Sequence, residues 1–509
     1  MARKIFMGIF IIIASVALFF VGSLVVLFLA PGVEIFGVRY VAPGVSDFGQ
    51  SVKLESFDGN IYLTTSDVPI NIHYTQYYSS EISFKQKFIG FTRSENKTAG
   101  LEVSYSEFDG KKNLIIKTEE LKKWLYAQES EEYFSCDLYL PVAYNSERNI
   151  YVKSNTSSLN VVGSAVCSSL EFESEGAFKV VNTLSVSQKL KCYTTQSIDL
   201  HEGVTALNCD LKSTRGAITI ANAVAGELVA ETRGGDIKFV SCKALSATTE
   251  SGAVRGVGEG LPSVSGSVTI NTRGGAVNLG AVGTSGAEVD ITSTSGSVDI
   301  AELINGKIQN ERGRVFVGKA TNLEIVDNIG NITVGQALGS LIVEGRNGKV
   351  ELGSSGVIMN PTVRTTTGAI KLINAAGTVD VKSVSNSVDF ANKSSANITL
   401  HAGKNLTAKE LFGVVKIYTN GNADIKFKEI TANVSIETGS KSDSVVVDAT
   451  CCSFSSVDYH IESTKGTRAE VYAGTEMLKN GAKITSGDNG KRLIKAISSY
   501  AKIVLKLAV

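Results

Sequence analysis

The most regular charged pattern in the sequence is an arginine placed directly before a glycine. The copies are Thr214-Arg215-Gly216, Thr232-Arg233-Gly234, Thr272-Arg273-Gly274 and Glu311-Arg312-Gly313, with Arg346 beyond them. The spacing between successive arginines is close to one or two periods of the repeat described below. Arginine holds carboxylates and phosphates through two parallel N–H bonds, so a row of these residues predicts a binding edge for polyanions or glycans. The alternative is that each arginine only extends into solvent beside a turn.

The residues that usually carry catalysis, metal binding or nucleotide binding do not form recognisable motifs. The four histidines, His73, His201, His401 and His460, are isolated in sequence, and no H-E-x-x-H is present. The Gly-Lys pairs at 306–307, 348–349 and 490–491 lack the other residues of a P-loop. We therefore predict no catalytic residue, no metal ligand and no cofactor.

The cysteines argue against a metal site and against a dense disulfide framework. There are seven, an odd number, and no C-x-x-C pair occurs. The separation of Cys192 and Cys209 is close to the repeat period, so they are expected to stack on neighbouring coils, either as buried thiols or as a bridge. Buried thiols are the preferred interpretation.

Composition excludes several classes of protein. Lys plus Arg and Asp plus Glu both number 50, so the net charge is zero and no bulk field attracts nucleic acid. Hydrophobic residues make up 43% of the 509 residues and charged residues 20%, which excludes extensive disorder. Glycine occurs 49 times and proline 6 times, a composition that favours many tight turns between regular strands.

Residues 5–30 form an uninterrupted run without a charge, long enough for a transmembrane helix. A cleavable signal peptide is the alternative, but the apolar region of such a peptide is normally much shorter than this run. Arg3 and Lys4 precede the run, so residues 1–4 are predicted to be a cytoplasmic stub. The rest of the chain is then expected to be extracytoplasmic, tethered to the cell membrane by a single pass.

After a linker at 31–50, the sequence predicts a small β-rich domain at 51–150. Alternating apolar residues indicate strands at 60–63, 69–73, 101–105 and 113–117. The pattern from Thr118 to Phe134, with Trp124 near its centre, predicts one helix.

Residues 151–452 repeat a unit of the form polar-Gly-x-[Ile/Val]-x-apolar. Clear copies are Gly235-Asp236-Ile237-Lys238-Phe239, Gly275-Ala276-Val277-Asn278-Leu279 and Gly330-Asn331-Ile332-Thr333-Val334. Turn positions recur at a nearly constant spacing from Gly216 to Asn386, and each period is predicted to hold two strands. Such short strands bury their apolar side only by stacking, which predicts an all-β fold with a single-chain parallel β-solenoid (β-helix) of about 16 coils projecting from the membrane. Residues 453–509 are predicted to add C-terminal strands and a cap.

Segments before and within this repeat are similar to a known family. The pair Asp58-Gly59-Asn60-Ile61-Tyr62-Leu63 and Ser66-Asp67-Val68-Pro69-Ile70-Asn71-Ile72, the extended Leu138-Tyr139-Leu140-Pro141 and the serial Gly-x-Ile/Val copies resemble the putative-adhesin β-solenoid family of bacterial envelope proteins. The resemblance covers most of residues 51–509 and implies fold more than function. It brings no catalytic residues.

The leading hypothesis is a non-enzymatic, membrane-tethered rod that acts in adhesion or in envelope structure. Its partner would be the membrane together with an envelope polysaccharide or a protein. The first alternative is an envelope-stress or assembly accessory that works through a membrane partner, and the second is a glycan-active β-helix enzyme.

Overall fold

The computed structural model describes residues 2–29, 34–35, 38–41, 50–65, 70–75, 80–86, 90–93, 101–118, 134–141, 148–155, 158–162, 164–180, 183–258, 260–465, 468–487 and 490–509. Within these residues the chain is all-β apart from one N-terminal helix, and it contains a long parallel β-solenoid of about 15 turns. It divides into a first unit, Met1–Gly226, and a second unit, Glu227–Val509. The predicted helix at 118–134 and nearly all of the predicted linker at 31–50 lie outside the described residues.

The first unit contains the helix and the first strands of the chain. Its elements are α1 (Ala2–Leu29), β1 (Glu34–Ile35), β2 (Val38–Val41), β3 (Gln50–Lys53), β4 (Ile61–Thr65), β5 (Ile70–Thr75), β6 (Glu81–Gln86), β7 (Gly90–Arg93), β8 (Leu101–Phe108), β9 (Lys111–Thr118), β10 (Phe134–Pro141), β11 (Asn149–Ser154), β12 (Leu159–Val162), β13 (Ser164–Ser174), β14 (Phe178–Val180), β15 (Thr183–Thr194), β16 (Ile198–Leu200), β17 (Val204–Ser213) and β18 (Ile218–Ile220). Strand β19 (Val224–Thr232) runs across the division between the units.

The second unit contains the remaining strands. They are β20 (Ile237–Phe239), β21 (Ser241–Thr249), β22 (Val254–Gly256), β23 (Ser263–Val264), β24 (Val268–Thr272), β25 (Val277–Val282), β26 (Val289–Ser293), β27 (Val298–Asn310), β28 (Val315–Asp327), β29 (Ile332–Ala337), β30 (Leu341–Gly345), β31 (Val350–Leu352), β32 (Ile358–Met359), β33 (Pro361–Thr365), β34 (Ile370–Ser383), β35 (Val388–Ala402), β36 (Leu406–Leu411), β37 (Gly413–Thr419), β38 (Ala423–Phe427), β39 (Val434–Thr438), β40 (Ser444–Ser453), β41 (Asp458–Ser463), β42 (Ala469–Ala473), β43 (Glu476–Gly481), β44 (Lys483–Thr485), β45 (Leu493–Ser498) and β46 (Lys502–Ala508).

Over the helical side chains that the structure describes, residues 7–23 and 25, no stretch meets the length and apolarity needed to cross a membrane. The transmembrane anchor at 5–30 therefore stays a prediction.

In the first unit, parallel coils begin before residue 150. Strand β4 pairs in parallel with both β9 and β11, and β5 pairs in parallel with β10 and β12. The strands predicted at 60–63, 69–73, 101–105 and 113–117 are confirmed as β4, β5, β8 and β9. Antiparallel pairs are added by the β8–β9 hairpin and by β6 with β3 and β10. The hairpin turns at Asp109 and Gly110, which both have positive φ.

In the second unit, each coil places three rows of inward residues against the core. In one representative pair of coils, Val298 lies against Val315, Leu303 against Ala320 and Ile308 against Ile325. We call the row of Val298 sheet 1, the row of Leu303 sheet 3 and the row of Ile308 sheet 2. Here a single strand continues through two bends of the coil, whereas the repeat predicted two strands per period. The reason is that β27 and β28 stay paired in one register through both bends.

The core of the second unit is built from the inward residues of these rows. Sheet 1 contributes Ile237, Val254, Val277, Val298, Val315, Ile332, Val350, Ile370, Val388, Leu406, Ala423 and Val445, all of which are buried. Fully burying one Val or Ile side chain stabilises a fold by about 1.5–3 kcal/mol. Toward the C-terminus, β46 pairs in parallel with both β40 and β42, so the charged last strand lies between two others, and the β42–β43 hairpin lies beyond it.

A column of glycines lines the turn that leads from sheet 2 of one coil to sheet 1 of the next. We call this turn the corner. The glycine column consists of Gly235, Gly252, Gly275, Gly296, Gly313, Gly330, Gly348 and Gly368. A Cβ on any of the last seven would collide with the carbonyl oxygen of the preceding glycine in the column. The corner therefore closes tightly only where no side chain intervenes.

This close approach predicts opposite outcomes at two glycines of the second unit. Gly330→Ala should lower the free energy of unfolding by about 3 kcal/mol, because the new methyl group meets the Gly313 carbonyl. Gly345→Ala is the matched control, since its Cβ would find no atom nearer than 3.4 Å, and it should be neutral or slightly stabilising. Urea unfolding followed by circular dichroism measures both. Equal effects at the two sites would contradict the glycine column.

Candidate functional site

A row of buried polar side chains runs beside the glycine column of the second unit. Each is the last residue of sheet 2 before the corner, and we call the row the polar ladder. Its members are Thr232, Thr249, Thr272, Ser293, Asn310, Asp327, Thr365 and Ser383, each no more than 5% exposed. From Thr232 to Ser383 the chain thus places one polar group per coil at the edge of an apolar core, except on the coil of Gly345.

The hydroxyl groups of the ladder satisfy the backbone of the corner. Thr272 Oγ1 accepts a hydrogen bond from the Gly275 N–H at 2.9 Å and lies 3.1 Å from the Gly275 carbonyl oxygen, to which it donates. Thr249 Oγ1 accepts from the Gly252 N–H in the same way. A ladder residue that both accepts and donates therefore pairs the N–H and the carbonyl oxygen of its column glycine.

Asp327 departs from this pattern because a carboxylate has no proton to donate. Its Oδ1 accepts from the Gly330 N–H at 2.8 Å and from the Ile329 N–H at 3.2 Å. Its buried Oδ2 has no hydrogen-bond partner, and neither has the buried Oδ1 of Asn310 on the preceding coil. Burial raises the pKa of Asp327, and the hydrogen bonds from the two backbone N–H groups, together with the nearby Asn310 amide, whose Nδ2 donates to the Gly313 carbonyl oxygen, only partly offset this. Two acceptors thus lie in neighbouring coils without a donor.

Next to Asp327, an open groove of about 490 Å³ lies along the ladder. Asn310, Asp327 and Gly345 form its floor, because Asn310 pairs in register with Asp327 and Asp327 pairs with Gly345. At Gly345 the ladder has no side chain, and the space that a Cβ would occupy there is lined by Thr365, Val350 and Ile332. The Oδ2 atom of Asp327 lies instead beside Gly330 at the corner.

The rims of the groove are charged. Glu311 and Arg346 follow the ladder at the corner, and Glu344 precedes it on β30. All three are exposed, and none forms an ion pair with a described residue. The rim thus carries two carboxylates and one guanidinium group, while the Asp327 carboxyl is buried beside the corner.

The predicted arginine edge is partly brought together. Arg215 lies in the first unit, whereas Arg233, Arg273 and Arg312 lie in the second, and all four are exposed at corners. Each of the three in the second unit is two coils from the next, which is about 10 Å at the usual strand spacing. Arg233 and Arg273 occupy the first corner position and Arg312 the second, so the three do not form an exact column.

The prediction of an arginine edge did not include the acidic residues that lie among the arginines. Glu250 occupies the first corner position on the coil between Arg233 and Arg273, and Glu311 directly precedes Arg312. The polar ladder was also overlooked, although its signal is visible as a Thr or Ser three residues before the column glycine. The corner is therefore of mixed charge.

In the first unit, His73 is isolated in sequence but paired in space. The parallel register of β5 and β10 brings His73 Nε2 to 2.8 Å from Asp137 Oδ1, while Ser135 Oγ donates to Asp137 Oδ2 at 2.7 Å. Burial raises the pKa of Asp137, but the hydrogen bonds from His73, Ser135 and Asn71 outweigh it and the pKa is lowered. The ring of His73 also stacks on the ring of Tyr139, with the two ring centroids 4.6 Å apart. These contacts hold the imidazole in one orientation.

None of the described cysteines forms a disulfide bond. All seven are free thiols, and five of them, including Cys192 and Cys209, are buried, which confirms buried thiols over a bridge. Cys451 and Cys452 are partly exposed with their Sγ atoms 3.7 Å apart. Among the residues with described placement, no group of three or more His, Cys, Asp or Glu is arranged to hold a metal ion.

With this geometry in hand, comparison with known proteins identifies the family. The family model Toastrack DUF4097 matches residues 60–334, and the chain belongs to this family. The match confirms the β-solenoid family assigned from the repeat. No curated protein matches the sequence. A solved structure described as a putative cell adhesion protein from Clostridium sporogenes aligns with 47% of this chain and 100% of its own, at 14% identity and a TM-score of 0.22.

The orphan acceptors predict a pH-dependent stability. Because burial raises the pKa of Asp327 above its ordinary value of 3.8, this carboxyl group contributes fully to the stability of the fold below pH 3.8. That contribution is lost as the pH rises through the raised pKa. Asp327→Asn, which supplies a donor without ionising, should be more stable than the parent chain by about 1–3 kcal/mol at pH 7, with the gap closing toward pH 4. Thermal unfolding across pH tests this. Asp290→Asn, at an exposed position, should show no such gap, and a pH-independent gap at Asp327 would refute the assignment.

Proposed function

We propose that the protein is a non-enzymatic envelope protein, tethered to the cell membrane by its N-terminal helix, that binds a polymer or protein partner through the corner of its solenoid. The observation that carries the proposal is the arginine row of the second unit, defined as Arg233, Arg273 and Arg312. These residues recur on every second coil and extend into solvent, while the interior of each coil is filled by apolar side chains.

The spacing of the arginine row suits a ligand with repeated acidic groups. At about 10 Å from one arginine to the next, successive guanidinium groups meet carboxylates or phosphates carried by an extended chain. The nearby Glu250 and Glu311 weaken any attraction for anions in general. They favour a partner whose acidic groups match the arginines in position, such as an envelope polysaccharide or a protein surface.

The tether is supported by residues 5–30, which carry no charge, and by the exposure of the helix that they form. Among the described side chains of this helix, twelve large apolar ones are 48–74% exposed, including Phe10, Leu18 and Phe19. Lipid is the environment in which such a surface is stable. Arg3 and Lys4 favour a cytoplasmic N-terminus, which leaves the solenoid on the outer side.

Replacing the arginine row tests the binding role. The Arg233→Ala, Arg273→Ala, Arg312→Ala triple variant should bind anionic envelope polymers at least about tenfold more weakly, since the loss of each guanidinium group removes a charge-assisted contact. Biolayer interferometry with the detergent-solubilised full chain measures this over a panel of such polymers and glycans.

The matched control removes three exposed lysines of the same unit at Lys409, Lys416 and Lys428. It changes the net charge equally but leaves the corner intact, so its affinity should stay within about twofold of the parent chain. Equal losses in the two triple variants would show that binding depends only on net charge and would exclude the arginine row.

Membrane fractionation tests the tether. The full chain should stay with membranes through an alkaline carbonate wash and enter solution only with detergent. The double variant Ile13→Lys, Phe20→Lys should be released, because each lysine costs about 2.5–3.5 kcal/mol at the centre of an inserted helix. Ile13→Leu, Phe20→Leu is the control that should behave as the parent. Release of the parent chain by carbonate would end the proposal of a tether, whereas a stoichiometric membrane protein in the detergent extract would favour an accessory role.

A further inference from the structure

Residues 450–452 of the second unit form a bulge in β40. On one side of this strand, β38 pairs with it only as far as Asp448. On the other side, the partners of Ala449 and Ser453 are consecutive residues of β46. The bulge thus has no strand partner among the residues that the structure describes. The alternation of buried and half-buried side chains along β40 also stops at Ala449.

The bulge holds two thiol groups against each other. In a regular strand, neighbouring side chains point to opposite faces of the sheet, so adjacent cysteines do not meet. Here the chain bends, because the N–H and the hydroxyl group of Thr450 both donate to Asp448 Oδ1, at 3.1 and 2.7 Å. Just beyond this bend, the Sγ atoms of Cys451 and Cys452 lie 3.7 Å apart. A small rotation of the two side chains is enough to bring the sulfur atoms to bonding distance.

These two thiols are also the accessible ones. Cys451 is exposed and Cys452 is half-buried, whereas the other five cysteines are buried. Desolvation and then the neighbouring Cys452 thiol raise the pKa of Cys451, so this thiol stays protonated at neutral pH. Access to solvent, rather than acidity, therefore distinguishes the pair from the buried cysteines, and a soluble thiol reagent reaches the pair first.

We propose that Cys451 and Cys452 are a redox-active dithiol that closes into a disulfide between adjacent residues by exchange with an external disulfide, RSSR. One cysteine loses its proton and its thiolate attacks RSSR, which forms a mixed disulfide and releases RS⁻. The thiolate of the other cysteine then attacks the protein sulfur of the mixed disulfide and releases the second RS⁻. Two electrons thus pass from the cysteines to RSSR, and the two thiol protons end on two RSH molecules.

The place of the pair in the fold confines the effect of closure to the surface. The bulge takes no part in the ladder, and the flanking residues Ala449 and Ser453 keep their partners on β46 whether the ring is open or closed. Oxidation replaces two thiol groups by a rigid ring without removing a strand pair or a core contact. The solenoid then presents a surface that responds to oxidants while its fold persists. This site does not depend on the tether or on the arginine row.

Incubation of the reduced, detergent-solubilised full chain with oxidised glutathione tests the proposal. Mass spectrometry of the fragment that carries both cysteines should show the loss of two hydrogen atoms, about 2 Da, with fewer than about one chain in ten retaining a glutathione. The thermal midpoint should move by less than about 2 °C, because the ladder is unchanged. Chains that accumulate glutathione, or that link to one another through these cysteines, would overturn the proposal.

Two variants and a peptide control make the result specific. Cys451→Ser and Cys452→Ser each leave one thiol of the pair, so each should stop at a mixed disulfide with one glutathione. A synthetic peptide of residues 448–454 has the same neighbouring residues but lacks the flanking strands that hold the bulge. Its closure should be at least about tenfold slower than that of the full chain. Equal rates in the peptide and the full chain would show that the fold does not position the thiols, and would refute the proposal.

Discussion

The close approach of successive corners is the constraint on which the second unit depends. Each column glycine lies against the carbonyl oxygen of the glycine one coil earlier, and no side chain fits between them. This contact allows the sheet 1 strands to pair in register, which stacks Val, Ile and Leu into continuous inward rows. On the coils from Thr232 to Ser383, except that of Gly345, the corner also buries one polar side chain, and the hydroxyl groups of Thr and Ser meet that requirement at little cost.

The proposed function depends on the positions of each coil that are occupied neither by core residues nor by column glycines. Inward positions are taken by the core and column positions by glycine, so variable chemistry is confined to the outward faces and the exposed corner positions. There the second unit places arginine on alternate coils and glutamate close by. A corner of mixed charge discriminates between partners by the placement of their charges, a property suited to recognition along an extended surface.

Much of the fold can be predicted from the sequence because the repeat is local. Gly330-Asn331-Ile332 and the other Gly-x-Ile/Val copies contain the corner glycine and the first inward residue within three positions. Their recurrence is enough to predict the solenoid. The groove cannot be predicted in the same way. Nothing near Asp327 distinguishes a ladder aspartate from an outward one, and Gly345 looks like any turn glycine until its register against Asp327 is known. His73 and Asp137 are separated by 64 residues, and only the pairing of β5 with β10 brings them together.

Distances between spin labels along one face of the second unit test the stacked-coil architecture most directly. With Cys451 and Cys452 replaced by serine, one label at Lys238 is combined in turn with a second at Asp299, Glu351 or Asp389. These outward sites lie three, six and eight coils from Lys238 in the sheet 1 register. Pulsed dipolar spectroscopy should give backbone separations of about 14, 29 and 38 Å, increasing by about 4.8 Å per coil. Separations that do not increase with coil number would contradict the stacked solenoid and the corner built on it.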